Sequence, residues 1–228
     1  MKARLIETRE IAPNTLHLEF EPLEWKTAFV PGQFLSLTRQ IGDNEMTRAY
    51  SIASPPDGNR FALCANLVPD GHFSPVLFGL QPGDEIDFKG PYGAFILRRP
   101  VSDSILVATG TGIAPFRSML HAKLREHADR RFTLIFGVRH EHGLLYHDEW
   151  QAMAKEHGNF EYRPTLTRPP ENWNGLTGRV QQHVLEALGD RRDADVYICG
   201  LREMVDDVRA QLKAIGLDRK RIIYEKYD

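Results

Sequence analysis

A glycine-rich segment in the middle of the chain has the composition of a phosphate-binding turn. Its residues are Gly110, Thr111, Gly112, Ile113, Ala114 and Pro115. Glycines let a backbone approach a phosphate, and a helix that begins there offers free N–H groups. Pro115 suits the first turn of that helix, although it takes the third glycine position of the GxGxxG pattern. A tight strand-to-helix turn without a ligand explains these residues equally well.

A second group of chemically capable residues lies upstream and consists of Arg48, Ala49, Tyr50 and Ser51. On a strand, Arg48 and Tyr50 share one face while Ser51 points the other way. The guanidinium can pair with a phosphate through two parallel hydrogen bonds, and the flat ring can stack on a planar ligand. The alternative is an exposed arginine and a half-buried tyrosine with structural roles only.

A third segment, Gly71, His72, Phe73 and Ser74, precedes a short helical pattern that starts with Pro75. A serine at this position can act as the N-cap of the helix. The same helix N-terminus can also hold a pyrophosphate.

Two segments near the C-terminus add a thiol, a carboxylate and an aromatic ring. Cys199 and Gly200 end the apolar run Val196–Cys199, and the chain closes on Glu225 and Tyr227 before Asp228. A small buried cysteine is common in protein cores, and a frayed tail is a common C-terminus. His140, His142, His147 and Asp148 match no metal-site spacing, so we predict no metal.

The elements that carry the first motifs read as an antiparallel barrel. Residues 1 to about 98 contain alternating segments such as Thr15–Phe20, Gln33–Thr38 and Arg60–Ala65, which turns such as 55–58 separate. Short strands at this spacing predict a small antiparallel barrel, with one helix near Ser74–Leu80.

The rest of the chain alternates apolar runs with helical patterns. We predict strands at 104–109, 132–136, 196–199 and 222–224, and helices at 114–128, 146–157 and 202–215. This order predicts a Rossmann-like parallel sheet with helices on both faces. We therefore expect a barrel domain at 1–99 and an α/β domain at 100–228.

The composition excludes several classes of protein. The net charge of −2 gives no electrostatic footprint for nucleic acid. Two cysteines cannot supply the four ligands of an ordinary iron–sulfur cluster. The N-terminus does not resemble a signal peptide and no run of 18 apolar residues occurs, so we expect a cytoplasmic protein without membrane contact.

The three motifs, in this order and across this change of domain, resemble the ferredoxin/flavodoxin–NADP reductase family of the bacterial type. The resemblance implies an FAD-binding barrel followed by an NADP-binding domain. Arg48 would bind the flavin pyrophosphate with backbone groups near Ser74, Tyr50 would stack on the isoalloxazine, and Ser51 would hydrogen-bond near flavin N5. The turn from Gly110 to Pro115 would take the NADP pyrophosphate.

The resemblance also gives roles to the C-terminal residues. In the family a Cys-Gly pair sits beside the nicotinamide, which corresponds to Cys199 and Gly200. Plant-type members cover the flavin with a terminal aromatic residue and place a glutamate near the reacting atoms, and Tyr227 and Glu225 fit these roles. Ser51, Cys199, Glu225 and Tyr227 are therefore the predicted catalytic residues.

The choice of coenzyme depends on arginines that could read the 2′-phosphate of NADPH. Arg139, Arg168 and Arg179 lie at points where NADPH-using members of the family place arginines, although Pro169 follows Arg168 in place of a glutamate. Three solvated surface arginines are the alternative. Because the Trp173-x-Gly175-x-x-Gly178 pattern resembles NADH-using relatives, NADH stays open as a second coenzyme.

The expected activity is electron transfer between NADPH and a ferredoxin or flavodoxin by way of FAD, in a monomer. Arg98, Arg99 and Lys89 could contribute to a basic docking patch for the acidic carrier. Three alternatives stay open: the NADH-dependent reductase component of an oxygenase, a free-flavin reductase, and a non-catalytic flavin- and nucleotide-binding subunit of a larger complex.

Overall fold

The computed structural model describes residues 1–24, 28–56 and 58–227. Asp57 in the predicted turn at 55–58 and the terminal Asp228 lie outside the described residues. The chain divides into two compact units, of which the first holds Met1–Ile96 and Ala114–Ala122 and the second holds Leu97–Ile113 and Lys123–Asp228. The domain boundary at residues 99 and 100 stays a prediction.

The first unit is built on an antiparallel sheet. Its elements are β1 (Lys2–Ala12), β2 (Thr15–Pro22), β3 (Phe34–Ile41), β4 (Asn44–Ser51), β5 (Phe61–Asn66), the short helix α1 (Ser74–Gly79) and β6 (Glu85–Tyr92). The strand order is β4-β3-β6-β1-β2-β5. A bridge between Ile52 and Leu63 brings the β4 end of the sheet to β5, so the two edges meet. The predicted antiparallel barrel is confirmed.

Alternation along these strands buries one face of the sheet. In β2, Leu18 and Phe20 are buried, and the Phe20 ring stacks on Phe61 with centroids 5.4 Å apart. Phe61 in turn packs against Phe88 of β6 at 5.4 Å. Each fully buried side chain of this kind contributes roughly 1.5–3 kcal/mol. This core holds the strand register that places the residues of β4.

The second unit is built on a parallel sheet. Its strands are β7 (Ser104–Thr109), β8 (Phe132–Val138), β9 (Phe160–Leu166), β10 (Leu176–Thr177), β11 (Asp195–Leu201) and β12 (Ile222–Tyr227). The order is β10-β9-β8-β7-β11-β12, and every neighbouring pair is parallel. The α-helices in the second half of the chain are α2 (Ala114–Lys123), α3 (His147–Glu156), α4 (Gln181–Leu188) and α5 (Arg202–Ala214). The predicted parallel sheet is confirmed.

The strand order of the second unit contains a switch point. The chain steps outward from β7 to β10 on one side, then continues with β11 and β12 on the other side of β7. Open parallel sheets bind ligands at the carboxyl ends of the strands that flank such a point. In this sheet those strands are β7 and β11.

The helix predicted at 114–128 is shorter in the structure. It ends at Lys123, and Asn159 donates hydrogen bonds from its amide to the carbonyls of Leu124, His127 and Arg130. This side chain satisfies carbonyls of the turns that replace the last helical turn. None of the helices in the described part of the chain is long and apolar enough to cross a membrane.

Candidate functional site

Strand β4 presents the predicted flavin motif in the alternation expected of a strand. Arg48 is exposed and donates one hydrogen bond from Nη1 to the neighbouring Thr47 carbonyl, at 2.9 Å. Tyr50 is half-buried, while Ser51 is 5 % exposed and lies opposite Phe34 of β3. An exposed guanidinium can pair with a phosphate, and a partly open ring on the same face can stack on a planar ligand.

The Tyr50 phenol is neutral over the physiological range. Burial raises its pKa to about 12, and the nearby Arg48 charge only partly opposes this shift. The ring of Tyr50 lies against Phe73, with centroids 6.2 Å apart and planes inclined by 32°. This contact brings together the two predicted flavin motifs, which are far apart in the sequence.

The segment before α1 differs from one expectation. Phe73 occupies the N-cap position of α1, and no side chain caps this end of the helix. The Ser74 hydroxyl instead accepts a hydrogen bond from Val68 N at 2.9 Å and donates to Val68 O at 3.4 Å. The interpretation of Ser74 as the N-cap is therefore wrong, because its side chain instead holds the loop that contains Gly71 and His72.

The glycine-rich turn follows β7 as predicted, and its two glycines differ in their surroundings. Residues Gly110–Ile113 form a 3-10 turn that runs into α2. Gly110 has a φ of +53° and open space where a Cβ would stand. A Cβ on Gly112 would stand 2.6 Å from the Cys199 carbonyl carbon. Gly112 thus admits the backbone of β11, whereas Gly110 leaves room for a ligand.

The end of β11 packs against the end of β7. Gly200 has a φ of +147°, and a Cβ there would overlap the Thr109 hydroxyl and stand 2.9 Å from the Met204 Cε. The Thr109 Oγ1 is buried and has no hydrogen-bond partner in the described residues. A buried hydroxyl without a partner, at the carboxyl edge of a parallel sheet, is a position where a bound ligand can supply the missing hydrogen bond.

Cys199 meets both predicted catalytic residues of β12. Cys199 is paired with Glu225 in the strand register, and Leu201 with Tyr227. Burial raises the pKa of the Cys199 thiol well above its usual value, and the Glu225 charge raises it further. The Tyr227 hydroxyl donates a hydrogen bond to the sulfur and lowers the pKa in part. The thiol is therefore protonated and unsuited to act as a nucleophile near neutral pH.

The three arginines predicted to read a 2′-phosphate follow neighbouring strands. Arg139 follows β8, Arg168 follows β9 and Arg179 follows β10, and all three side chains are exposed. Arg168 N donates to the Arg139 carbonyl at 2.8 Å, which joins the first two segments. Arg179 forms an exposed ion pair with Glu203 at 3.6 Å. Exposed pairs contribute little, so this contact leaves the guanidinium available to an anion.

Other polar groups noted in the sequence have local partners. His140 and His142 stack on each other with centroids 5.2 Å apart, and His147 contacts the Tyr162 hydroxyl at 3.2 Å. No cluster of three or more His, Cys, Asp or Glu side chains suited to a metal occurs among residues 1–24, 28–56 and 58–227. The Trp173 indole donates to Leu176 O at 2.9 Å and covers Gly175, within its own loop.

Two residues beside these motifs were not singled out from the sequence. Thr109 looks like an ordinary strand residue, and only its unpartnered buried hydroxyl distinguishes it. Arg117 donates from Nη1 to Ala53 O at 2.9 Å, a contact between residues 64 positions apart. A hollow of about 440 Å³ at residues 128–131 and 156–159 lies at the amino ends of β8 and β9, away from the predicted motifs.

Comparison with known proteins identifies both halves of the chain. Residues 2–96 match the oxidoreductase FAD-binding domain and residues 106–210 match the oxidoreductase NAD-binding domain. The chain is 40 % identical to ferredoxin–NADP reductase B of Sorangium cellulosum over 238 residues, which cover 100 % of this chain and 97 % of the relative.

Two further relatives show the range of the similarity. The toluate 1,2-dioxygenase electron transfer component of Pseudomonas putida is 31 % identical over 99 % of this chain and 67 % of its own length. A crystal structure of a ferredoxin NADP⁺ reductase from Neisseria gonorrhoeae with bound FAD and NADP superimposes with a TM-score of 0.86 at 26 % identity. That superposition covers 100 % of this chain and 97 % of the other.

Proposed function

The chain belongs to the ferredoxin–NADP reductase family of FAD- and NAD(P)-binding flavoprotein oxidoreductases, and from this premise we propose that it transfers electrons between NADPH and a separate ferredoxin or flavodoxin. One observation carries the proposal. The glycine turn, the Cys199-Gly200 pair and the three arginines all lie at the carboxyl ends of strands of one parallel sheet.

The barrel residues supply the flavin site in this proposal. Arg48 is exposed and pairs with the diphosphate, and the half-buried Tyr50 offers its ring to the isoalloxazine. Ser51 places a hydroxyl near flavin N5. Support comes from the Tyr50–Phe73 ring contact, because it joins the segment Gly71–Ser74 to β4. Bound FAD would accept a hydride from the nicotinamide and release electrons to the carrier.

The sheet residues supply the nucleotide site. The open space at Gly110 and the N–H groups of the following turn suit a pyrophosphate. Cys199 and Gly200 lie beside the unpartnered Thr109 hydroxyl, which supports this edge as the nicotinamide site in the proposal. The protonated thiol shapes the pocket without reacting, and Glu225 sets the local polarity or relays a proton.

NADPH is the coenzyme that the arginines favour. A 2′-phosphate carries a charge that NADH lacks, and guanidinium groups bind phosphate through paired hydrogen bonds. Arg139 and Arg168 are exposed and their segments are joined by a backbone hydrogen bond, so both can face one phosphate.

The electron acceptor in this proposal is an acidic one-electron carrier. Arg98, Arg99 and Lys89 are exposed and positively charged, which suits an acidic partner. The test is carrier reduction coupled to cytochrome c, with NADPH or NADH as donor and ferredoxin or flavodoxin as acceptor. We expect the rate with NADPH to exceed that with NADH by about tenfold or more, and to depend on added carrier. Equal rates with and without carrier would contradict the acceptor assignment.

A second candidate function is the reductase component of an oxygenase that uses NADH. The Trp173 loop and the 31 % identity to the toluate dioxygenase component favour it. In the same assay this candidate predicts faster reduction by NADH. The cytoplasmic location stays a prediction.

A further inference from the structure

The backbone just after β4 is held by hydrogen bonds on several sides. Ile52 N donates to Gln33 O at 2.9 Å, and Ala53 N donates to Ala62 O at 2.7 Å. Ala62 N donates to the Ser54 hydroxyl at 2.9 Å. Ala53 is fully buried, and its carbonyl accepts the hydrogen bond from Arg117. Arg117 therefore satisfies a buried acceptor two residues after Ser51.

The helix that carries Arg117 is itself fixed against the barrel unit. Phe116 packs on Phe95 with ring centroids 5.6 Å apart. The Met119 Cε stands 2.5 Å from the position that a Cβ on Gly32 would take, so Gly32 allows a close approach. Residues Ala114–Ala122 belong to the same compact unit as β4. Arg117 is half-buried on this helix, which limits the freedom of its side chain.

We propose that Arg117 is a positioning residue, which holds the end of β4 so that Tyr50 and Ser51 keep their places at the flavin. The inference rests on the proposed function, since it concerns the strand that would hold FAD. A guanidinium donates a stronger hydrogen bond to a carbonyl than a neutral group does. Without it the Ala53 carbonyl is buried and unpaired, and the backbone of residues 51–54 relaxes toward another donor.

The position of α2 in the chain extends this role. Ala114, the first residue of α2, directly follows the turn Gly110–Ile113. In the chain, α2 thus follows the predicted nucleotide turn, and it also carries the arginine that donates to Ala53 O. Arg117 acts through the backbone of Ala53, so its loss is expected to change the rate of hydride transfer more than the binding of either nucleotide.

The test compares Arg117→Met and Arg117→Gln with Lys123→Met in the purified holoprotein. Lys123 is the last residue of α2 and forms an ion pair with Glu126, so its replacement removes a charge from the same helix without touching Ala53. FAD content, the FAD dissociation constant and the bleaching rate at saturating NADPH are measured anaerobically by stopped flow.

We expect Arg117→Met to keep its FAD, with a dissociation constant within about threefold of the original. Its bleaching rate at saturation should fall by about tenfold or more, since a misplacement of 1 Å can cost roughly 10²-fold. Arg117→Gln retains a neutral donor and should lose less, about threefold, whereas Lys123→Met should match the unmodified protein.

Two results would overturn the proposal. One is an Arg117→Met rate within twofold of Lys123→Met, and the other is loss of FAD in parallel with loss of rate, which indicates a structural role alone. If Arg117→Met does not fold, Arg117→Gln decides, and a rate within twofold of the unmodified protein overturns the proposal. A failure of NADPH and NADH to bleach the unmodified protein would instead contradict the proposed function.

Discussion

The end of β4 and the turn after β7 differ in what forms them: side chains of a regular strand at β4, and a close approach of two backbones at the turn. At β4, the groups proposed to contact a ligand are side chains of a regular strand, because alternation puts Arg48 and Tyr50 on one face and buries Ser51. At the turn, the arrangement depends on the backbone, because Gly112 and Gly200 let two strand ends approach more closely than any side chain permits. Side-chain placement depends on local periodicity, whereas backbone approach depends on contacts that are distant in the sequence.

The largest effect is expected from replacing Gly112, because this tests whether the close approach of the two backbones is required. In Gly112→Ala the new Cβ would overlap the backbone of Cys199, and overpacking of this kind costs about 1–3 kcal/mol. We expect a loss of that size in the free energy of unfolding and loss of reduction by NADPH. Urea denaturation followed by circular dichroism measures the first, and anaerobic bleaching measures the second.

The matched control is Gly110→Asn. Gly110 has open space around its Cβ position, and its φ of +53° is one that asparagine tolerates. This variant should unfold within about 1 kcal/mol of the original. Equal destabilisation by the two variants would contradict the different roles that we assign to the two glycines.

Arg48→Ala probes the side-chain half of the comparison. The loss of a charge-assisted pair with phosphate should cost about 1.5–3 kcal/mol of FAD binding, roughly 10- to 100-fold in affinity. The fold should persist because Arg48 is exposed. FAD content after gel filtration and titration of the apoprotein provide the measurement.

Arg60→Ala is the control for Arg48→Ala. It removes another barrel arginine, whose contact is an exposed ion pair with Glu19 at 3.0 Å. Such pairs contribute little, so FAD content should not change. Unchanged FAD content in Arg48→Ala as well would contradict the phosphate role.

The sequence predicts the features that depend on local periodicity and misses those that depend on contacts distant in the sequence. It predicts the limits of β7 and a parallel sheet in the second unit, because buried strands read as apolar runs. It does not predict β9, whose polar Glu161 and Arg163 and internal Pro164 hide the strand pattern. The contact of Gly112 with Cys199 and the buried Thr109 hydroxyl depend on tertiary packing, to which local periodicity is blind.

Arg139→Ala tests the coenzyme preference. Removal of one guanidinium from the 2′-phosphate should raise the NADPH dissociation constant by about tenfold and leave that of NADH unchanged. The comparison of both coenzymes in one variant provides an internal control. An equal change for NADPH and NADH would show that Arg139 does not read the 2′-phosphate.

Tyr227→Ser is expected to have a smaller effect. Removal of the Tyr227 ring abolishes the hydrogen bond to Cys199 and opens the edge of β12. Because contacts worth about 1 kcal/mol no longer compete with the nicotinamide, occupancy of its site should rise severalfold. Difference spectra on addition of NADP⁺ measure the occupancy. No change in occupancy would contradict the predicted role of the Tyr227 ring as a cover over the flavin that the nicotinamide must displace.

The effect of Cys199 on stability is visible only at high pH. Its pKa is raised in the folded protein, so the unfolded thiol loses its proton first as the pH rises. The unfolded state then binds fewer protons, and the Cys199 contribution to stability falls as the pH rises above the ordinary thiol range. Denaturation of Cys199→Ala at pH 7 and pH 10 should show a weaker pH dependence, and an identical dependence would contradict the raised pKa.

The most direct test of the central claim is the visible spectrum of the purified protein during anaerobic addition of NADPH or NADH. We predict a bound FAD spectrum that NADPH bleaches much faster than NADH. Faster bleaching by NADH would agree with a flavoprotein reductase but contradict the assignment of NADPH as the coenzyme. A colourless protein that does not take up FAD would contradict the account as a whole.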